Sequence, residues 1–510
     1  MRAAHLPGSV ASPARALAAF ATASLLVAAS AGPLAGCRSL TGLDEFELEC
    51  IAGENGCPIP DALEDCADRR DANGDGILPA ECSGEVEWLR TTPGNLELSC
   101  PNETFGNYQI DPSRRLLAMM SFGSWTGTFG SVRGTAGGCF RTCVHESNAF
   151  DGDGARIELA PQGPCDDDSG AFHALARGQE RAYAMVAQEE EAAEAQGPRS
   201  VTVSIHRLSD ATLASTWTWT PPDVITSIAL AADTAAVAAI GQPGRVLFAE
   251  PDESFPRTGF RDLPGASATT IALATTAGAR TLLLGGHTTD AGPCGLGATA
   301  PTAFVAAAPL DTEASLDPAS PTPLTCTTFP VRVELGADTG SPSMKVVAGK
   351  AGRACWAHLG NDDASDRRQL RTGCFDLDGT TFDWTREAAI GTAESGDIEI
   401  AVDPFGHLLL TTIVRSSAPI PLWGGAEVVI AASAAPNVLV LKLHRDTGAV
   451  LWGTTLSAGG GNARLPRITV ADDASPHLGV VTDGQPLRGN GLGPLDGVSG
   501  QAVHFLGLRP

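Results

Sequence analysis

The residues best placed to hold an ion are Asp71-Ala72-Asn73-Gly74-Asp75-Gly76-Ile77-Leu78-Pro79-Ala80-Glu81. Oxygen donors at alternate positions, with glycine sixth for a sharp turn, suit a hard cation such as Ca2+ at about 2.3–2.6 Å. Asp71, Asn73 and Asp75 would bind through side-chain oxygens, Ile77 through its carbonyl, and Glu81 from the end of the loop. A disulfide between Cys66 and Cys82 would enclose the segment, and an Asx-rich turn inside that disulfide loop is the competing reading. Any ion held there would be structural. Asp151-Gly152-Asp153-Gly154 and Asp166-Asp167-Asp168 read as solvated loop acids, and Glu189-Glu190-Glu191 as an exposed run. His145-Glu146 is followed by Ala149 where a second zinc-binding histidine would stand, so that metal pair is missing. There is no GxSxG elbow and no GxxxxGKS/T phosphate loop.

The Asp71 segment resembles the calcium loops of EF-hand, dockerin and thrombospondin type 3 repeats. The twelfth position, a bidentate Glu in the EF-hand, is Cys82, with Glu81 one residue early. Further upstream, Met1 to Arg15 carry two arginines and no acid, and an Ala-rich apolar run follows, as in a secretory signal. The run is too short for a comfortable transmembrane span, which needs roughly 20 predominantly apolar residues. It leads into Leu34-Ala35-Gly36-Cys37, which resembles the lipobox of bacterial lipoproteins. That resemblance implies a signal peptide over 1–36, a diacylglycerol on Cys37, and attachment to the membrane through the N-terminal lipid. Arg38 in place of Asp implies sorting to the outer membrane of the cell envelope, with the chain facing the periplasm or the exterior. Cleavage after Ala29-Ser30-Ala31, which would release a secreted protein, is the alternative.

Thirteen cysteines become twelve once Cys37 is lipidated, and an exported protein with an even set, none spaced as CxxC, is expected to form disulfides. Cys355 and Cys374 lie symmetrically about the polar stretch Asn361 to Asp366, as partners across a hairpin would.

The elements that carry these groups follow from pattern. Residues 37–102 are cysteine-dense with few periodic apolar runs, so they read as a small Cys-rich module or linker. From 103 to 510 an alternating apolar strand, an Asp- or Gly-rich turn and a second apolar strand recur. The clearest copy is Ile398 to Thr411, with Asp403-Pro404-Phe405-Gly406-His407 as its turn. Others begin at Tyr108, Ala174, Ile228, Ile271, Val346 and Ile468, making seven. Division gives about 58 residues per unit, room for four strands of about 5 to 6 residues each. The expectation is an all-β chain, a β-propeller of about seven four-stranded blades that cover one another's faces. A pair of β-sandwiches is the alternative.

Leu439 to Trp452, which contains His444-Arg445-Asp446-Thr447-Gly448-Ala449-Val450-Leu451-Trp452, resembles the repeats of PQQ-like and SBBP-type β-propellers, and Cys374 to Trp384 is a degenerate copy. There Asp and Gly shape the turn, and the indole packs between blades while its N–H finds a carbonyl. Trp384 and Trp452 are thus expected in packing roles. Relatives of this class include quinone-binding dehydrogenases, but the vicinal disulfide those share is missing here.

Net charge is −25, and lysine occurs only at 345, 350 and 442, which excludes an electrostatic nucleic-acid binder. The expected role is a binding or scaffolding propeller with a protein or glycan ligand. The alternatives are a propeller enzyme, either a quinoprotein dehydrogenase or a sugar or lactone hydrolase, and a purely structural envelope component.

Overall fold

The structure is a computed structural model that describes the strands named below together with residues 83–85, 220–226, 349, 377, 383, 390, 403–407, 415, 436, 444–449, 474–475, 487 and 509–510. Every described residue lies in one compact unit that contains Pro79–Pro510. All of the regular elements among the described residues are strands.

Strand β1 (Val86–Thr91) stands apart in sequence from the sheet it joins. β2 (Tyr108–Ile110), β3 (Arg115–Phe122) and β6 (Arg141–Asn148) form a three-stranded sheet, with the separate hairpin β4 (Trp125–Phe129) and β5 (Val132–Ala136) between its last two strands. β7 (Gly170–Arg177), β8 (Arg181–Gln188), β9 (Ser200–Arg207) and β10 (Leu213–Trp219) make a four-stranded meander. A longer path runs through β11 (Ser227–Ala232), β12 (Ala236–Glu250), β13 (Arg257–Thr276), β14 (Ala279–Thr288) and β15 (Thr302–Leu310). The short β16 (Thr322–Pro323) pairs with β13, and β17 (Val333–Glu334) with β15. The next meander is β18 (Ser343–Ala348), β19 (Arg353–Asp362), β20 (Arg367–Asp376) and β21 (Trp384–Ala389). It is followed by β22 (Ile398–Val402), β23 (Leu408–Val414), β26 (Asn437–Leu443) and β27 (Val450–Ser457), with the small hairpin β24 (Ile420–Pro421) and β25 (Glu427–Val428) inserted. The last sheet is β28 (Ala463–Val470), β29 (Pro476–Asp483) and β30 (Gln501–Leu508), and β1 forms its outer edge beside β30.

Each of the seven strand–turn–strand copies read from sequence is an antiparallel pair: β2/β3, β7/β8, β11/β12, β13/β14, β18/β19, β22/β23 and β28/β29. Alternating apolar residues with a Gly- or Asp-rich break between them leave few other options, because a register slip of one would turn every apolar side chain outward.

The long path divides physically in two. The first part of β12 pairs with β11 and its second part, Arg245–Glu250, with Arg257–Asp262 of β13. Only the later part of β13, from Ala266, pairs with β14. Val237, Ala239, Val246 and Phe248 of the first half share a core with Leu282, Leu284, Phe304 and Ala306 of the second. The two halves are therefore successive layers.

The other cores repeat this arrangement. Met185 and Val203 pack with Ile240 and Leu247; Leu283 and Val305 with Val346 and Trp356; Ala357 and Leu370 with Leu410 and Leu441; Leu409 and Val440 with Leu478 and Leu506. A middle strand is consequently apolar on both sides. In β26, Leu439, Leu441 and Leu443 face one neighbouring sheet and Val438 and Val440 the other. Each such Leu contributes about 1.5–3 kcal/mol. The first strands also touch in series: β2 with β7, β7 with β11, β11 with β13, β13 with β18, β18 with β22, β22 with β28, and β28 with β2.

Cys355 and Cys374 are direct register partners on β19 and β20 and are joined by a disulfide, at the hairpin position their spacing suggested. Changing both to alanine frees a loop of 19 residues in the unfolded chain. A loss of about 3 kcal/mol is expected in urea unfolding; a loss below about 1 kcal/mol would mean that the hairpin is held without the bond.

Candidate functional site

Among the described residues, a cluster of polar groups lies where two turns of the β22–β27 sheet meet the sheet before it. The turn 403–407 forms because Asp403 Oδ1 accepts from the backbone N–H of Phe405 (2.9 Å) and His407 (2.8 Å), while Gly406 takes φ +89°. The other oxygen of Asp403 lies 3.0 Å from Lys442 Nζ, and both side chains are fully buried. His407 Nδ1 accepts from Arg445 N at 3.0 Å, and Arg445 Nη1 donates to the Phe405 carbonyl at 3.0 Å. These contacts lock turn 403–407 onto turn 444–449. The His407 and His444 rings lie 5.4 Å apart.

The preceding sheet grips turn 444–449. Arg353, at the start of β19, donates to Asp383 at 2.6 Å, to Asp446 at 3.3 Å and to the Arg445 carbonyl at 2.9 Å, with Asp376 at 3.5 Å. Trp384 Nε1 donates to the same Arg445 carbonyl, and Arg386 donates to the Thr447 carbonyl. Burial pushes the Asp446 carboxyl up, but hydrogen bonds from Arg445 and Arg353 and the charges of the two guanidinium groups together outweigh it and hold the group below the ordinary carboxylate range.

Gly448, at φ +63°, lies under the Trp384 indole so closely that a Cβ there would come within 2.4 Å of the ring. Trp452 is placed likewise over Gly84, at φ +64°, just before β1. Both tryptophans thus pack between sheets, as expected. The expected carbonyl partner is present for Trp384; Trp452 Nε1 is buried with no partner among the described residues.

A second constellation runs across first strands. Glu399 Oε1 lies 2.7 Å from Lys345 Nζ on β18 and 2.6 Å from Arg467 Nη1 on β28. Desolvation pushes the Glu399 carboxyl up, and the charges of Lys345 and Arg467 more than reverse this, leaving it below its ordinary value. Each of the three stands three residues before the last residue of its strand, Ala348, Val402 and Val470. One repeat position thus supplies a belt of alternating charge across three consecutive sheets.

A third feature is His504 on β30, fully buried, with Nε2 2.8 Å from Thr482 Oγ1 on β29. Burial alone lowers its pKa to about 4. The unfolded chain takes up a proton near pH 6.5 and the folded chain only near 4. The stability from keeping this imidazole neutral is complete above about pH 6.5 and is lost as pH falls towards 4, by roughly 3 kcal/mol. His504→Gln is expected to flatten that limb in unfolding midpoints measured from pH 7 to 4; an unchanged limb would assign the acid sensitivity elsewhere.

Cys37, Asp71, Asn73, Asp75, Ile77, Glu81, Cys66 and Cys82 lie outside the described residues. Among the described residues no group of three or more His, Cys, Asp or Glu side chains is placed to hold a metal. Asp403 was read from sequence as a turn residue, but the ionic partnerships of Arg353, Asp403, Glu399 and Lys442 were not, although a lysine inside the apolar run Leu439-Val440-Leu441-Lys442-Leu443 is a sign of a buried counter-ion.

No protein-family model matches the chain, and no curated protein matches it. Among solved structures, the parainfluenza virus 5 hemagglutinin-neuraminidase ectodomain is similar at 8% identity and TM-score 0.34, over 66% of this chain and 81% of that one. The WD40 domain of SCAP from fission yeast gives 10% and 0.34 over 83% and 98%, and the WD40 repeats of RRP9 10% and 0.28 over 82% and 100%. Superpositions this loose carry no argument about function.

Proposed function

We propose that the chain is a seven-bladed β-propeller, closed by β1, that serves as a non-catalytic binding or scaffolding platform at the bacterial cell envelope, anchored by lipid on Cys37. The observation that carries the reading is the circuit of first-strand contacts from β2 through β28 and back to β2. Serial cores shared by adjacent sheets support it, because two facing slabs would share one core. The clustered charges described above hold turn to turn and sheet to sheet, which favours a rigid frame over a reaction centre. Such a frame presents its connecting loops together, and a charge of −25 suits protein or glycan partners, cationic ones above all, and not nucleic acid.

Chemical cross-linking on intact cells, followed by mass spectrometry, tests the role. A reproducible partner joined through inter-strand loops is expected, with purified protein lacking quinone absorbance and not cleaving aryl glycosides or lactones. Quinone absorbance or turnover would replace the reading with an enzyme. Cys37→Ser that still incorporates labelled fatty acid would remove the anchor.

A further inference from the structure

The last sheet is completed by a strand that no hairpin connects to it. Residues 83–91 sit on β30 as the end of the 444–457 segment sits on β26. Val86 faces Leu508 as Val450 faces Leu443. Arg509 N donates to the Glu85 carbonyl at 2.9 Å as His444 N donates to Ala449 at 2.7 Å. Gly84 lies under Trp452 as Gly448 lies under Trp384, with matching φ of +64° and +63°. Both segments read Gly-x-Val-x-Trp, Gly84 to Trp88 and Gly448 to Trp452, and the pattern occurs nowhere else in the chain. The second copy is fastened by its own tight turn; the first has no such turn among the described residues and is held by pairing with β30, by Gly84 against Trp452 and by Arg509 on Glu85.

We infer that the outer edge of β30, together with the Trp452 indole, is a strand-acceptor site for a Gly-x-Val-x-Trp strand, and that residues 83–91 of a second copy of this chain fill it in trans. The site recognises its ligand by ladder pairing along His504–Leu508 and by a residue without Cβ over the indole. A side chain at that point would have to displace the ring or the strand. The cis and trans strands make the same contacts, so exchange changes little but connectivity and is driven by protein concentration. The cis strand acts at an effective concentration of the order of mM. Dilute protein therefore stays closed on itself, and crowded copies exchange. The inference needs only the β1–β30 pairing and not a closed ring, so it stands or falls apart from the propeller reading.

Arg90 and Phe505 are register partners across the two strands. A full-length Arg90→Cys chain labelled with heavy nitrogen is mixed with an unlabelled full-length Phe505→Cys chain at about 10 μM and about 1 mM, then oxidised and read by mass spectrometry. The expected product is a peptide linking positions 90 and 505 with one heavy and one light half, rising at least tenfold with concentration and falling at least tenfold when Gly84→Val is added to the Arg90→Cys chain. A single chain carrying both substitutions should cross-link internally, which reports the fold and the register. Internal cross-linking with no mixed product overturns trans occupancy. Mixed product that ignores Gly84→Val overturns recognition of the glycine, and failure of the internal cross-link overturns the acceptor site itself.

Discussion

Lys442→Met is expected to cost about 4 kcal/mol, read as the shift in a urea unfolding curve at pH 7. The loss of attraction is the smaller part of the effect. Asp403 stays where its other oxygen fastens the 403–407 turn through Phe405 and His407, with no exposed surface, and its charge is left without the ammonium at 3.0 Å. Removing one member of a buried pair typically costs about 3–5 kcal/mol, because the survivor remains dehydrated. Adding Asp403→Asn should restore a large part of the loss, since the amide oxygen can still accept both backbone N–H groups while carrying no charge. A single-variant loss under about 1 kcal/mol would mean that water reaches the pair, and the rigid-turn account would fail with it.

Gly84→Val is expected to destabilise by a similar amount, about 4 kcal/mol, from two sources. A residue with a side chain at φ +64° carries roughly 1–2 kcal/mol of left-handed strain. Forcing a branched side chain against Trp452, where even Cβ would come within 2.5 Å, adds roughly 1–3 kcal/mol. The location of the damage separates this variant from ordinary core substitutions. Hydrogen exchange should accelerate along Gln501–Leu508 while the ladder β18–β21 keeps its protection. Gly448→Val should show the opposite pattern, loosening contacts between Trp384 and turn 444–449. Uniform loss of protection in both variants would show that the end sheet does not open by itself.

Legibility differed by element for reasons of range. The seven strand–turn–strand pairs and the Cys355–Cys374 pair were readable because alternation, turn residues and symmetric spacing are local signals. Trp384 and Trp452 were readable as packing residues because a turn motif precedes them. The place of β1 was not: pairing between residues 86–91 and 504–508 leaves no local trace, and the cysteine-rich setting drew those residues into the preceding module. The repeated Gly-x-Val-x-Trp pattern at 84 and 448 is the signal that could have found it. Arg353 was hidden for a related reason. Its partners Asp376, Asp383 and Asp446 are spread over three segments, and only the stacking of two sheets brings them together.

Joining β1 to β30 also imposes an order in time. A ribosome delivers residues 86–91 hundreds of residues before Gln501–Leu508, so the opening strand must wait unpaired through nearly the whole of synthesis, and through any translocation that accompanies it. Until then every incomplete chain carries an unpaired strand, half of it apolar, seeking an edge, and closure across such a sequence distance is among the slowest events in folding. Chaperones that hold extended segments should therefore meet this protein at its beginning rather than at its middle, and chains released early should be cleared or aggregate instead of persisting as a smaller version of the same architecture.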